Sequence, residues 1–345
     1  MSVAFADADG EPLQKDEIHI RPLGEFRNEF QMEQKLGAGY FAEVFQATGK
    51  KDNKEYAVKV IDRGQAANPQ RIWAEVQIQL RLQHPNIIKL FKVFADKYHV
   101  ALVLEFAKGG ELYEHLLDNE SYNEIDAASI IKHILTALAY LHKNGIVHRD
   151  IKPENILFAD VAAKDPKLAD FGLSGLLVEG SLLHSCAGTP IFMAPEVIKA
   201  KGYNYSCDMW SVGIMTYLLL CGEVPFNGET HYDLFKKICS GEFKFIEAFD
   251  SISETAKDFI KNLIVVDPSK RFSAEKALKH PWINSPQDAA LGTSRGKVLT
   301  FLQDRRKLRE FQAANTAVSF IGKLKFKVKS GKKIEKKTPK KALQK

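Results

Sequence analysis

The spacing of apolar residues divides the chain into a strand-rich part, residues 31–105, and a helical part, residues 107–285. In the first part, runs of β-branched and aromatic residues predict short strands at 44–47, 56–61, 87–94 and 99–106. One helix interrupts these strands, because apolar residues recur at every fourth position from Ile72 to Leu80. The first part is therefore expected to contain strands and a single helix.

The helical part carries longer apolar patterns. Between residues 127 and 141 the apolar side chains fall on one face, as in an amphipathic helix. Residues 209–221 are apolar on all sides, which predicts a buried helix, and Ser253 is placed to cap a third helix that runs to Ile264. The length of 345 residues fits one large domain of two lobes or two to three ordinary domains.

The composition argues against several classes of protein. The four cysteines lack Cys-x-x-Cys spacing and an accompanying His cluster, so neither a disulfide framework nor a zinc site is expected. The longest apolar run, residues 215–221, is far shorter than the roughly 20 residues that cross a bilayer. Residues 1–20 lack the apolar core of a secretory signal, and Ser2 is not the glycine that N-myristoylation needs. A cytoplasmic or nuclear protein is therefore expected.

Charge is distributed unevenly along the chain. The net charge is +6, yet residues 323–345 alone contain eleven Lys and one Glu, which leaves the rest mildly acidic. Residues 326–345 are expected to be a disordered tail that binds an anionic membrane or nucleic acid, serves as a nuclear localisation patch, or is only solvated. Residues 1–29 mix Gly, Pro and charged residues without periodicity, which predicts an extended N-terminal arm.

A glycine-rich turn is expected between two strands at Leu36-Gly37-Ala38-Gly39-Tyr40-Phe41-Ala42-Glu43-Val44. Backbone N–H groups in such a turn can approach phosphate oxygens closely, because glycine has no Cβ. The same pattern also fits a simple hairpin, so the turn alone does not decide the function.

Lys59 follows Val44 by fifteen residues and lies within a predicted strand. A lysine that faces inward from a strand is costly unless it is paired, and Glu75 on the following helix is the natural partner. A lone lysine on a strand usually lies on a solvated face. Only the motifs further along the chain outweigh that alternative.

The most specific motif is His148-Arg149-Asp150-Ile151-Lys152-Pro153-Glu154-Asn155. An Asp, a Lys two residues after it and an Asn five residues after it can all act on one phosphoryl group while it is transferred. In that arrangement Asp150 accepts the hydroxyl proton, Lys152 neutralises developing charge, and Asn155 ligates magnesium. Asp170, in an Asp-Phe-Gly sequence, supplies the second metal ligand. An Ala-Pro-Glu sequence at 194–196 ends the segment that begins at Asp-Phe-Gly.

Together these motifs, over about residues 30–285, resemble the eukaryotic protein kinase family. The resemblance implies an α+β, bilobal fold, with a β-rich N-lobe over about 30–106 that carries one main helix and a mainly helical C-lobe over about 107–285. It also implies that ATP and Mg²⁺ bind between the lobes. The implied cofactor-binding residues are Leu36, Gly37, Ala38, Gly39, Tyr40, Phe41, Val44, Ala57, Lys59, Glu105, Ala107, Glu154 and Leu157.

The same resemblance assigns more specific roles. At adenine it implies backbone bonds from Glu105 and Ala107 and a sandwich of the ring between Val44, Ala57 and Leu157. In the C-lobe it implies an ion pair between Glu196 and Arg271. It also implies that Asp208 braces the backbone of the catalytic loop, the loop that carries Asp150.

Two positions depart from the family pattern. Gln79 lies four residues after Glu75, where the family usually places an apolar residue. A polar group there loses packing between the lobes, which is expected to make the active conformation less self-sustaining. Ala42 replaces the third glycine of the glycine-rich turn, which is a minor change because relatives tolerate a small residue there.

The finer resemblance is to serine/threonine kinases of the calcium/calmodulin-dependent group. Lys152 together with Thr189 resembles serine/threonine rather than tyrosine kinases. Residues 109–112, 209–213 and 271–283 resemble the calcium/calmodulin-dependent group. The implied catalytic residues are then Asp150, Lys152, Lys59, Glu75, Asn155, Asp170 and Thr189.

Glu111 and Glu154 look like the acidic residues with which this group reads basic side chains upstream of the target hydroxyl. A carboxylate pairs bidentately with an arginine, which favours Arg over Lys. The expected substrates are proteins with Arg three residues before the Ser or Thr acceptor. The alternative is that both glutamates are merely exposed.

Phosphorylation of the activation segment, the residues between Gly172 and Ala194, is one expected form of regulation. Arg149 resembles the arginine that, in the family, receives a phosphate carried by this segment. The candidate acceptors are Ser174, Ser181, Ser185 and Thr189. Ser185 is favoured, because it lies three residues before Gly188, where relatives carry their activating site, and an upstream kinase would then be a partner. The alternatives are Ser181 or no requirement for phosphorylation.

Residues 309–318 resemble the autoinhibitory and calmodulin-binding segment of the same kinase group, and residues 286–325 are expected to form that segment. Pairs of bulky apolar residues lie thirteen positions apart, Leu308 with Ile321 and Phe311 with Leu324. Calmodulin targets use this spacing, and basic amphipathic helices suit calmodulin or an acidic membrane surface. Calmodulin is therefore expected to bind over about 297–325. The alternatives are a helix packed permanently on the C-lobe and direct binding to acidic lipid.

The sequence therefore predicts a protein serine/threonine kinase. Every residue that phosphoryl transfer requires is present, which argues against a catalytically silent pseudokinase scaffold. A third hypothesis makes the basic tail the main functional element, with the kinase fold as a tether to membrane or nucleic acid. Steep salt dependence of binding would distinguish that hypothesis.

Overall fold

The computed structural model describes residues 20–38, 42–64, 69–118, 123–162, 165–178, 180–286 and 296–306. Gly39, Tyr40 and Phe41 of the glycine-rich turn therefore lie outside the described residues. So do the lysine-rich tail and the four apolar anchors of the predicted calmodulin-binding stretch.

The N-lobe is built on a six-stranded sheet in the order β1-β5-β6-β4-β3-β2. Its strands are β1 (Ile20–Pro22), β2 (Phe30–Ala38), β3 (Ala42–Gly49), β4 (Glu55–Asp62), β5 (Leu90–Ala95) and β6 (His99–Glu105). All pairings are antiparallel except that of β1 with β5 at one edge. The strands predicted at 44–47, 56–61, 87–94 and 99–106 correspond to β3, β4, β5 and β6, although β5 begins only at Leu90.

The edge strand β1 and the turn after it belong to the N-lobe. Phe26, in the short helix α1 (Phe26–Glu29), and Phe30 are each 6% exposed. Their rings lie 5.4 and 6.1 Å from that of Phe94 on β5. From Ile20 onward the predicted N-terminal arm is instead part of the N-lobe, because burial of these large aromatic surfaces stabilises the folded segment.

Helix α2 (Pro69–Gln79) is the single helix that the apolar pattern predicted among the strands. Ile72 and Val76 are buried and share one apolar cluster with Leu90 and Leu102 of the sheet. This packing places the polar residue Glu75 of the same helix next to the strand that carries Lys59.

The C-lobe is mainly helical. Its helices are α3 (Leu112–Asp118), α4 (Glu124–Lys143), α5 (Pro195–Ile198), α6 (Ser206–Cys221), α7 (His231–Ser240), α8 (Glu254–Leu263), α9 (Ala274–Leu278) and α10 (Pro281–Asn284). A further helix, α11, covers residues 296–306. The short strands are β7 (Ile146–Val147), β8 (Ile156–Phe158), β9 (Pro166–Leu168) and β10 (Gly175–Leu176). Single 3₁₀ turns occur at Leu23–Glu25, Pro153–Asn155, Pro190–Phe192 and Glu247–Phe249.

Helix α6 is the centre of the C-lobe, and every residue from Cys207 to Cys221 is buried, as its uniform apolarity predicted. A buried carboxylate joins the surrounding helices. Glu124 of α4 is fully buried and accepts hydrogen bonds from Ser253 Oγ (2.5 Å) before α8 and from Trp282 Nε1 (2.8 Å) on α10. Because a buried carboxylate is stable only when hydrogen-bonded, these contacts fix the three helices relative to one another.

Helix α11 rests directly on the C-lobe. Val298 and Leu302 are buried in the C-lobe core, and Lys297 pairs with Glu223 at 3.0 Å. At Gly222, just after α6, an added Cβ would lie 2.2 Å from Lys297 Cβ, so only glycine permits this close approach. Among the helices of the described residues, none is both long and apolar enough to span a membrane.

Candidate active site

One buried carboxylate fixes the loop that follows β7. Asp208 on α6 is fully buried and accepts the backbone N–H groups of His148 (2.9 Å) and Arg149 (2.7 Å). Its other contact is the ring of His142 at 2.9 Å. Burial alone would raise the pKa of Asp208, but this hydrogen bond and the neighbouring donors lower it instead. Asp208 thus stays charged and holds Arg149 in a left-handed conformation, with φ of +70°.

Asp150 lies at the centre of a cluster of hydrogen bonds in this loop. Its Oδ1 accepts from Thr189 Oγ1 at 2.8 Å, and its Oδ2 contacts Lys152 Nζ at 2.5 Å. Asn155 Nδ2 donates both to Asp150 Oδ2 (3.1 Å) and to the Asp150 carbonyl (2.8 Å). The structure therefore brings Asp150, Lys152, Asn155 and Thr189 together around one carboxylate that can accept a proton from a hydroxyl.

Lys59 joins carboxylates that come from two different parts of the chain. Its Nζ lies 2.7 Å from Glu75 Oε1 on α2 and 2.8 Å from Asp170 Oδ1 after β9. The sheet register sets its position, because Lys59 lies opposite Val44 on β3 and Leu102 on β6. The predicted Lys59–Glu75 pair is present, and Asp170 forms a second partner.

The ion pairs determine the charge states of these groups. Burial disfavours the ammonium form of Lys59, but the negative charges of Asp170 and Glu75 outweigh it and raise the pKa of Lys59 above its usual range. The positive charge of Lys59 in turn lowers the pKa of Asp170 well below its usual range. Both groups are therefore charged at neutral pH, as a site for phosphates and a divalent cation requires.

The three residues predicted to sandwich adenine lie on strands of both lobes. Val44 and Ala57 lie on β3 and β4 of the N-lobe, and Leu157 lies on β8 of the C-lobe. All three are half-buried, whereas Val58, Ile156 and other adjacent residues of these strands are fully buried. Half-buried apolar side chains are of the kind that packs against a flat apolar ring, and their contact with adenine remains a prediction.

The two residues predicted to bond adenine through their backbone lie at and just after the end of β6. Glu105 ends the strand, and Ala107 follows it in the segment that leads into the C-lobe. Of the glycine-rich turn, Leu36 is 43% exposed, and a Cβ added at Gly37 would meet nothing within 4 Å. Among the described residues, Gly37 therefore has open space beside its Cα.

Comparison with known proteins identifies the family. A model of the protein kinase domain matches residues 30–283. The chain belongs to the protein kinase family. The predicted family and the predicted bilobal α+β fold are therefore confirmed.

The relatives are calcium/calmodulin-dependent and myosin light chain kinases. The chain is 42% identical to mouse calcium/calmodulin-dependent protein kinase type IV over 87% of its own length and 64% of that protein. It therefore spans slightly less than two thirds of that relative. It is 38% identical to calcium/calmodulin-dependent protein kinase type 1 of Caenorhabditis elegans over 88% of each chain. Myosin light chain kinase A of Dictyostelium discoideum is 41% identical over 74% of this chain and 88% of its own.

The kinase C-lobe also contains the ion pair that the resemblance implied. The Arg271 guanidinium donates to both carboxylate oxygens of Glu196, at 2.6 and 3.1 Å. Both side chains are buried, and Arg271 also bonds the Val265 and Ser206 carbonyls. The pair ties the end of the activation segment to the helical core, so the segment is anchored beside the catalytic loop.

Arg149 reaches from the catalytic loop to the activation segment. Its guanidinium donates to Ser185 Oγ at 2.8 Å, to the Ser174 carbonyl at 2.9 Å and to Tyr203 Oη at 3.3 Å. Ser185 is exposed, whereas Ser174 is buried, and the Ser181 hydroxyl is bonded to the Val178 carbonyl. Of the predicted acceptors, Ser185 thus combines an exposed hydroxyl with direct contact to Arg149.

Helix α11 places two arginines on an acidic surface beside the active site. Arg305 contacts Glu154 Oε1 through Nε at 2.6 Å and through a terminal nitrogen at 2.5 Å. The next residue, Arg306, pairs with Glu114 on α3. Arg305 also lies 5.5 Å from the centre of the Phe192 ring. Glu154, predicted to read substrate arginines, is therefore occupied by an arginine of the chain itself.

Sequence reasoning missed Glu114. The backbone N–H of Glu111, the second predicted reader of basic residues, donates to Glu114 Oε2 at 2.9 Å. The two glutamates are three residues apart at the start of α3, so they share one helix face. That spacing was a usable signal, whereas the contact with Arg306 depends on tertiary structure.

Proposed function

We propose that this chain is a protein serine/threonine kinase that transfers the γ-phosphoryl group of Mg-ATP to a Ser or Thr hydroxyl. The observation that carries the proposal is the hydroxyl of Thr189, which donates to Asp150 within reach of Lys152 (3.1 Å). Asp150 can accept a hydroxyl proton in the same way from a substrate, and the Lys152 ammonium can offset the negative charge that develops.

The residues present suit a nucleotide with its magnesium ion. Asn155 uses its amide nitrogen on Asp150, which leaves the amide oxygen for a cation. Asp170 adds a carboxylate oxygen, and Mg²⁺ prefers oxygen ligands and usually takes few of them from the protein when phosphates supply others. Bound Mg-ATP would supply the phosphoryl group, and Lys59 would orient its phosphates from a position that Glu75 fixes.

A catalytically silent scaffold is the second candidate function. It would require the loss or misplacement of at least one charged group of the site. Lys59, Glu75, Asp150, Lys152 and Asp170 are instead all present and within hydrogen-bonding distance of a partner in the site. The arrangement therefore favours catalysis.

The test of the proposed activity is phosphate transfer to a peptide that carries Ser and an Arg three residues before it. Replacement of Asp150→Asn keeps the shape of the side chain but removes the proton acceptor. We expect it to lower kcat by about a thousandfold, the size of a lost general base. The measurement is incorporation of labelled phosphate from Mg-ATP.

Asp165→Asn is the matched control, since Asp165 is an exposed carboxylate in the same lobe that pairs with His133. It should retain wild-type activity. If the wild-type chain transfers no phosphate beyond the Asp150→Asn background, with and without calcium-calmodulin, the scaffold becomes the better account.

The substrate preference for arginine rests on the acidic surface formed by Glu111, Glu114 and Glu154. The Arg305 guanidinium supports this preference, because it contacts the buried Glu154 carboxylate and lies 5.5 Å from the centre of the Phe192 ring. A substrate arginine would meet the same carboxylate, and bidentate pairing favours it over lysine.

The C-terminal segment is proposed to inhibit the kinase. Arg305 and Arg306 occupy carboxylates that a basic substrate needs, so α11 and substrate would compete. Two of the relatives are named as calcium/calmodulin-dependent kinases. We infer that calmodulin, by binding over about 297–325, removes α11 and restores access to the acidic surface.

The double replacement Arg305→Ala with Arg306→Ala tests the competition. We expect it to lower KM for the arginine-containing peptide about tenfold without calmodulin, because charged hydrogen bonds of this kind contribute about 1.5–3 kcal/mol. The measurement is the peptide KM with and without calcium-calmodulin. Gln303→Ala, at an exposed position of the same helix, is the control. An unchanged KM in the double variant would contradict autoinhibition through these arginines.

Phosphorylation of Ser185 by an upstream kinase is proposed as a second form of regulation. A phosphate on this exposed hydroxyl would add charged acceptors for the Arg149 guanidinium, which already bonds it. The activation segment would then be held more firmly against the catalytic loop, because Arg149 adjoins Asp150.

Phosphoserine introduced at position 185 during protein synthesis tests this regulation without the need for an upstream kinase. We expect kcat/KM to rise about tenfold, since phosphate–arginine pairs are charge-assisted. Phosphoserine at position 181 is the comparison, because Ser181 is exposed and its hydroxyl donates to the Val178 carbonyl three residues earlier. Equal activation of the two modified proteins, or no activation of either, would contradict a specific role for Ser185.

A further inference from the structure

Gln79 is a buried polar residue at the end of α2, one helical turn after Glu75. Its side chain is 3% exposed, and within the described residues its one hydrogen bond runs from Nε2 to the Ile88 carbonyl at 3.4 Å. That distance exceeds the range of about 2.7–3.2 Å for a good N–H···O bond. Burial of an amide is unfavourable unless its hydrogen bonds are replaced, so this single long bond compensates only a part.

The amide lies where the apolar interiors of the two lobes meet. On α2, Val76 belongs to the apolar cluster of the N-lobe, whereas Ile78 belongs to that of the C-lobe. In the loop that Gln79 contacts, Ile87 belongs to the C-lobe cluster and Leu90 to the N-lobe cluster. A polar side chain therefore stands at the boundary between two clusters that an apolar side chain could join.

The same contact leads to both carboxylates that hold Lys59. Ile88 donates its N–H to the carbonyl of Leu168 at 3.0 Å, and Leu168 precedes Asp170 by two residues. In the other direction along α2, Glu75 pairs with Lys59 at 2.7 Å. A change in the packing of Gln79 would thus affect the positions of Glu75 and of strand β9 before Asp170.

We propose that Gln79 is a positioning residue that weakens the hold on α2, so that the Lys59–Glu75 arrangement is only weakly preferred in the free protein. This inference rests on the proposed kinase function. An apolar residue of similar volume would remove the poorly bonded amide and let the two clusters pack together. Helix α2 would then be held more firmly, and basal activity would rise.

The experiment compares Gln79→Leu with Gln77→Leu in the full chain. Gln77 lies on the same helix but is exposed, so the two proteins differ only in where the same substitution occurs. We expect Gln79→Leu to raise kcat/KM for Mg-ATP about fivefold, the factor that corresponds to about 1 kcal/mol. Gln77→Leu should match the wild type. Gln79→Met, a second apolar replacement, should reproduce the rise if leucine does not fit.

Hydrogen exchange supplies a readout that does not depend on catalysis. The backbone amides of α2 should exchange more slowly in Gln79→Leu than in the wild type, and Gln77→Leu should not slow them. A higher melting temperature with unchanged kinetics and unchanged exchange in α2 would reduce Gln79 to a structural residue and overturn the proposal. A lower kcat in both folded apolar variants would also overturn it, since the bond to Ile88 would then support activity.

The wild-type protein separates this inference from the proposed function. Absence of phosphate transfer by the wild type contradicts the proposed kinase activity itself. Equal kinetics and equal α2 exchange for an active wild type and Gln79→Leu contradict only the role of Gln79.

Discussion

The ammonium group of Lys59 is the most buried of the described lysines that join the two lobes electrostatically. The Lys167–Glu105 pair also connects the lobes, but of these lysines Lys59 alone bonds two carboxylates of the site. It bonds Glu75 on α2 at 2.7 Å and Asp170 at 2.8 Å, and its side chain is only 17% exposed. A charge withdrawn from water to this extent is stable only when it is paired. The position of α2 and the position of the segment before Asp170 therefore depend on each other through this one group.

The helical core holds the opposite side of the site in place. Helix α6, buried from Cys207 to Cys221, carries Asp208, whose carboxylate accepts hydrogen bonds from the backbone of the catalytic loop. Arg149 of that loop continues the connection to Ser185 in the activation segment. Asp150, the proposed proton acceptor, is the next residue and is thus positioned by a buried helix. The proposed regulatory residues Ser185 and Arg305 instead contact its neighbours Arg149 and Glu154.

Local sequence patterns predicted the elements whose stability is local. Helix α2 follows the spacing of Ile72 and Val76, the uniform apolarity of α6 predicted its burial, and Ser253 caps α8 as its sequence indicated. Each of these features depends on residues a few positions apart, so a reading of the sequence reaches them. The motif around Asp150 is likewise local, because Lys152 and Asn155 follow within five residues.

Contacts between distant residues were beyond that reading. Strand β1 pairs Ile20 with Val93, and no local pattern specifies such a partner. Lys59 and Asp170 are 111 residues apart, and only the resemblance to kinases suggested one site for them. The contact of Arg305 with Glu154 spans 151 residues and depends on how α11 packs on the C-lobe. The competition proposed at Glu154 therefore rests on the folded chain.

The most direct measurement of the central claim is the change in melting temperature that Mg-ATP produces in the wild type and in Lys59→Met. The account predicts a rise of about 3 °C or more for the wild type at saturating Mg-ATP. It predicts little or no rise for Lys59→Met. Lys92→Met, which removes an exposed lysine paired with Glu29, should retain the wild-type rise. An equal rise in Lys59→Met and the wild type would contradict the claim that Lys59 organises the nucleotide site.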